Sequence, residues 1–225
     1  MNTSSHSIKI ENAYTLTASE KALINEWEKA GTCSADDWND VKFSSLKSNM
    51  KSHYIKEQNN RCCYCLQEIK SDRHDLWDLE HIVPRCEKPA FMFEPLNLCI
   101  SCKDCNQRKH KYVPLVNVKV VKVPQRSNKY KMVHSHLDDY KDHITCTYPG
   151  DFYKARDKKG EETINKCGLL RFHAVGDRDI PDLEIDDLAR GVITSSNDIS
   201  REVLEKALLD RLIAKYQNTT NEQIT

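Results

Sequence analysis

Arg61-Cys62-Cys63-Tyr64-Cys65 and Ser101-Cys102-Lys103-Asp104-Cys105 are the two runs around which the chain organises itself. Each contains a CxxC, two thiols presented by one tight turn. Two such knuckles supply the four sulfurs of a tetrahedral zinc site. The 36 residues between Cys65 and Cys102 exceed the span of a compact ribbon finger, so something folds between the knuckles. Cys63 and Cys99 compete for places, since Cys99-Ile100-Ser101-Cys102 is also a CxxC. Cys105 is preferred to Cys99, which falls in a strand-like run and is expected to face a core. The expected ligands of one structural zinc are therefore Cys62, Cys65, Cys102 and Cys105. Cys33, Cys86, Cys146 and Cys167 read as buried thiols.

Between the knuckles, Trp77-Asp78-Leu79-Glu80-His81-Ile82-Val83-Pro84 is rich in apolar residues and closed by proline, which reads as a short strand. Adjacent side chains of a regular strand point to opposite faces, so Glu80 and His81 act together only where the strand twists or ends. Pro84 supplies an ending. Leu96-Asn97-Leu98-Cys99-Ile100 reads as a second strand, and Ser101 with Asp104 has capping-box spacing for a helix running through Lys111. On that helix Asn106 and His110 are i and i+4, hence on one face. Strand, loop, strand and helix make Glu80, His81, Asn97, Asn106 and His110 available to converge.

Outward from this centre, residues 17–30 read as a helix capped by Ser19 and ended by Gly31, with Ala22, Leu23, Trp27 and Ala30 on one side. Ser34 to Asp37 has capping-box spacing and opens a second helix, carrying Trp38, Val41, Phe43, Leu46, Met50 and Tyr54 to about Gln58. Val116, Val118, Val120, Val121 and Val123 suggest a strand. Residues 160–169 form a short helix with Gly168 as its C-terminal cap, and 200–217 a longer one. The expected regions are 1–59, helical; 60–115, the cysteine-framed core; and 116–225, a mixed strand and helix extension.

The 225 residues carry 34 basic and 34 acidic side chains, for a formal charge of zero. Locally the balance breaks: Ser101 to Lys131 holds nine cations against Asp104, a net +8 suited to a polyanion, while Asp177 to Asp187 is net −5. Six glycines argue against a Gly-rich nucleotide cradle, and no apolar run approaches the roughly 20 residues of a membrane span. The first residues lack a basic, then apolar leader, so the expected compartment is the cytoplasm, where cysteines stay reduced.

The motifs RCCYC, DLEHIVPR, PLNL and SCKDCNQRKHK, in this order over about 55 residues, resemble the HNH endonucleases. The resemblance implies an α+β fold with a zinc-stapled ββα-metal (His-Me finger) core flanked by N-terminal and C-terminal helices. It also implies hydrolysis of phosphodiester bonds, with DNA favoured and RNA as the alternative. His81 would be the general base, a histidine with a pKa near 6.5 being able to take a proton from water at neutral pH. Glu80 and Asn106 offer hard oxygens to a catalytic magnesium or manganese ion, and His110 either a nitrogen to the same ion or a contact to phosphate. Asn97 would hold the loop and orient His81. Lys103, Arg108, Lys109 and Lys111 would meet phosphates. Glu80 stands where aspartate is commonest, and Asn106 where the last histidine of the name often stands.

A second resemblance, over Val133 to His143, Lys159-Gly160 and Thr163 to Leu169, is to the HNH subunit of Septu-type and retron-associated antiphage systems. It implies an ATPase partner of the ABC/SMC-like class. His134, His136, Asp138, Asp139 and His143 also raise a second metal site, though such residues in a turn-rich stretch more often cap and pack. The rival function is a zinc-stabilised module that binds nucleic acid or protein without cutting.

Overall fold

The computed structural model describes residues 9–69, 76–146, 153–172, 183–195 and 198–222. Helix α1 spans Ala18–Lys29 and buries Ile24 and Trp27. Its cap is Thr17, not Ser19: the Thr17 hydroxyl accepts from the Glu20 N–H, and the Glu20 carboxylate closes a capping box. Ser34 and Asp37 do form the second capping box, but on a 3-10 turn, Ala35–Asn39. The expected single helix is interrupted because Asp40 takes extended backbone and caps a further turn, Val41–Phe43. Helix α2 then runs from Ser44–Glu57 and buries Leu46, Met50 and Tyr54.

Strands β1, Trp77–His81, and β2, Leu98–Cys102, pair antiparallel, with Trp77 opposite Cys102 and His81 opposite Leu98. Helix α3, Lys103–Lys109, follows directly and packs on both strands. Its cap is Cys102, whose Sγ accepts from the Cys105 N–H, and not Ser101, whose buried hydroxyl has no partner among the described residues. The helix also stops before Lys111, because His110 turns to φ +48°.

The expected valine strand is not one. Val116 (59% exposed) and Val121 (84% exposed) lie on irregular backbone, since beyond the single Leu115–Tyr130 bridge no strand among the described residues takes up the alternating N–H and C=O groups. Short elements follow: α4 Tyr140–His143, β3 Ile144–Cys146, β4 Tyr153–Ala155 and α5 Lys158–Lys166, with β3 and β4 antiparallel. Gly168 ends the α5 turn at φ +59°, as its place after the helix requires. Helices α6, Leu183–Thr194, and α7, Asp198–Glu222, form a hairpin around Ile185, Ala189, Val192 and Leu208. The side chains of the acidic run 177–187 lie largely outside the described residues. Among the described residues no helix is long and apolar enough to cross a membrane.

One apolar core draws on all three sequence regions, from Ile10 through Trp77 and Ile100 to Ile164. The segment after Lys131 is bonded to the first knuckle and β2. The Tyr140 and Tyr153 hydroxyls donate to the carbonyls of Tyr64 and Cys65 at 2.8 and 2.5 Å. His136 Nε2 donates to the Leu98 carbonyl at 2.7 Å. His134 Nδ1 accepts from the His136 N–H, and the His134 N–H meets Asp138, itself paired with Lys159 at 2.5 Å. These residues pack and cap. The second metal site is not formed, for the four knuckle cysteines are the only metal-sized cluster among the described residues.

Burial holds the imidazole of His136 down at about 4 and that of His134 at about 3. Both rings are thus neutral in the fold at pH values where an unfolded histidine, near 6.5, is charged. The unfolded chain then binds more protons between pH 6.5 and 4, so stability falls on acidification through that window. Denaturant unfolding of His136→Gln should show an acid slope shallower than that of the parent by about 1.4 kcal/mol per pH unit.

Candidate metal centre and groove

The first knuckle forms because α2 ends in two left-handed asparagines, Asn59 (φ +50°) and Asn60 (φ +55°), residues that tolerate this conformation. The chain then doubles back, with the Leu66 N–H on the Cys62 carbonyl and the Cys63 N–H on the Ile100 carbonyl of β2. The second knuckle is the β2–α3 junction itself. Together they bring Sγ of Cys62, Cys65, Cys102 and Cys105 within 4.8 Å of one another. Four soft thiolates at this spacing fit a tetrahedral zinc ion. The two competitors are set apart as a pair of their own, Cys99 Sγ lying 3.4 Å from Cys63 Sγ. Cys167 is buried as expected, Cys33 and Cys146 partly so, whereas Cys86 is exposed.

Four thiolates on a divalent ion leave a net charge of −2, which buried sulfur tolerates only with donors around it. Arg171, well downstream, supplies one: its guanidinium donates to Cys105 Sγ at 3.1 Å and to the carbonyls of Cys167 and Gly168. No spacing in the sequence announces this residue.

Along β1 and α3 lies a groove of about 580 Å³. Glu80, His81, Asn106, His110, Lys103 and Lys111 all line it. Glu80 and His81 share it because β1 ends at His81, as their adjacency requires. Asn97 stands behind the groove, fully buried. Its amide accepts from the Val83 N–H at 2.8 Å and donates to the Val83 and Phe91 carbonyls, clasping the loop that follows β1.

His81 Nε2 lies 3.1 Å from the Met92 carbonyl, which can only accept. Nε2 therefore carries the proton, and Nδ1 keeps its lone pair. Burial, with help from Arg85, holds this imidazole at about 3, so the expected value near 6.5 does not apply and the ring is neutral throughout the physiological range. Glu80 is buried against Lys109 Nζ at 2.6 Å and the Tyr64 hydroxyl at 3.0 Å, both on Oε1. Burial pushes its carboxyl above the ordinary range against the pull of Lys109. Asn106 Nδ2 donates to Asp78 at 2.8 Å, leaving Oδ1 as the acceptor end of the amide.

One of the expected phosphate contacts is placed otherwise. Lys109 is 2% exposed and fastens α3 to β1 through Glu80 and the His81 carbonyl, so it is not a surface cation. Arg108 is exposed and rests its stem against Gly168, where an added Cβ would fall 2.7 Å from Arg108 Cδ. Lys103 and Lys111 are exposed on the rim. Three neighbours were not foreseen. Asp78 shares the Glu80 face of β1, legible from its i−2 spacing. Arg85 stacks over Trp38, and Trp38 meets the His81 ring edge-on at 4.5 Å, a contact made by tertiary packing alone.

Removing Arg171 should loosen the sulfur cluster without dismantling it. Zinc transfer from Arg171→Ala to a colorimetric chelator is expected to be about 10- to 100-fold faster than from the parent, with Arg171→Lys between them. Lys109→Ala should lower unfolding free energy by about 3–5 kcal/mol in a denaturant titration, the cost of stranding a buried carboxylate, where loss of a surface phosphate contact would leave it unchanged. No protein-family model, curated protein or solved structure matches the chain, so the meaning of the site rests on the chemistry of these side chains.

Proposed function

We propose that the chain is a metal-dependent endonuclease of the HNH type, hydrolysing phosphodiester bonds in nucleic acid, with DNA favoured over RNA. The observation that carries this reading is His81 at the wall of an open groove, its Nε2 committed to a backbone carbonyl and its Nδ1 left as a base. Cleavage needs a water molecule to lose a proton as it attacks phosphorus, and a neutral, oriented imidazole accepts one. Hard donors sit beside it: the Glu80 carboxylate, Oδ1 of Asn106 and the His110 ring line the same groove. A magnesium or manganese ion held by them would offset charge on the phosphate and the departing oxygen. Lys103 and Lys111 give the rim the sign that attracts a phosphate backbone. The sulfur cluster, bonded into β2 and α3, keeps these groups in register. The likeness of the short runs Val133 to His143, Lys159-Gly160 and Thr163 to Leu169 to the HNH subunit of Septu-type and retron-associated systems supports a further reading, that the enzyme acts in antiphage defence with an ATPase of the ABC/SMC-like class.

One observation favours a second reading. Lys109 already supplies a cation to Glu80, so the groove belongs equally to a zinc-stabilised module that binds nucleic acid without cutting it. Purified protein incubated with plasmid, single-stranded DNA and tRNA, in magnesium, manganese or EDTA, separates the two. Divalent-dependent cutting should drop by about 10²–10⁴ in His81→Ala. A protein with one zinc per chain that binds but never cuts, alone or with an ATPase of the ABC/SMC-like class, would establish the module instead.

A further inference from the structure

Between Cys105 and Leu137 the chain has no acidic residue. Within that span residues 115–130 form a pinned loop. Leu115 bridges Tyr130, the Val116 N–H donates to the Lys129 carbonyl at 2.9 Å, and the Tyr130 hydroxyl donates to the Pro124 carbonyl at 2.8 Å. Val120 and Val123 turn inward onto the core. Lys119, Lys122, Arg126 and Lys129 turn outward together with Val116, Val118 and Val121, and none of the four cations has an acidic partner among the described residues. Compact closed loops of this length are held in shape by their own side chains and often carry function. Lys88 Nζ donates to the Val120 carbonyl at 3.2 Å, which fastens the loop to the segment whose Arg85 lines the groove.

We propose that this loop is a second grip on the nucleic acid, taking the phosphate backbone beyond the scissile bond while the groove takes the bond itself. The inference rests on the nuclease reading and adds to it a surface outside the motif. A run of unpaired cations without a compensating acid recognises a polyanion, and its attachment beside the groove makes that polyanion continuous with the substrate. The outward valines suit the apolar faces of sugars. A lipid surface fits less well, because membrane-seated elements bury Trp, Phe or Leu, and this loop presents none outward. The lysines act without regard to sequence, so the loop sets affinity and register and leaves base choice to other groups.

The test is binding of a labelled random-sequence DNA duplex to full-length, zinc-loaded protein in the His81→Ala background, which prevents cutting. Affinity is followed from about 50 to about 200 mM KCl. Lys119→Gln/Lys122→Gln/Arg126→Gln should weaken binding roughly tenfold or more at the lower salt and flatten the log–log salt slope by about 2 to 3, one phosphate being worth about 0.9. Each single substitution should flatten it by about 0.9, which guards against misfolding of the triple variant, as do zinc content and melting temperature. An unchanged slope in all variants, with parent protein that cuts plasmid, overturns the loop and leaves the nuclease standing. Parent protein that neither binds nor cuts overturns both. Binding to phosphatidylserine vesicles in place of duplex overturns the proposal and gives the loop to a lipid surface.

Discussion

Four sulfurs within 4.8 Å of one another, drawn from the end of a helix and from a strand–helix junction, are the constraint on which the rest depends. Such a cluster is unfavourable as bare thiolates and strongly favourable around a divalent metal ion. One half of it belongs to the turn after α2, and the other half is the turn that launches α3. Joining them fixes where α3 leaves the sheet, and with it the places of Asn106 and Lys109 relative to β1. The same junction thus sets the groove that β1 and α3 line.

The groove's own chemistry is arranged by backbone more than by charge. The Met92 carbonyl selects the tautomer of His81, Asn97 holds the loop from Val83 to Phe91, and the end of β1 turns Glu80 and His81 toward one space. Burial then depresses the imidazole to about 3 and leaves it uncharged. Its Nδ1 therefore keeps a free lone pair at every pH at which the chain is folded, and the proton on Nε2 stays with the Met92 carbonyl.

What the sequence made legible follows from how local each signal is. The cysteine spacing named all four members of the cluster, because a knuckle is a single turn and its geometry is written in four residues. Strand, loop, strand and helix were legible for the same reason. Caps were misplaced by a residue or two, since Thr17 and Ser19, or Ser101 and Cys102, offer similar acceptors and only the path of the chain chooses between them. The valine run failed because alternation describes a strand's faces and says nothing of whether a neighbour exists. Arg171 on Cys105, Trp38 on His81 and Lys109 beneath Glu80 are long-range contacts, and no short window contains them.

The bonds from Tyr140 and Tyr153 to the backbone of Tyr64 and Cys65, in a segment itself drawn tight where an added Cβ on Gly160 would sit 1.9 Å from the His143 carbonyl oxygen, bear on how far such a site is self-contained. A motif of about 55 residues invites the picture of a portable cassette moved from one scaffold to another. Here the cassette's floor is laid by Tyr140 and Tyr153, 76 and 88 positions beyond the residues they hold, so a fragment carrying only the motif would leave the Tyr64 and Cys65 carbonyls without these donors. In this chain the self-sufficient unit is the motif together with the segment that clasps it.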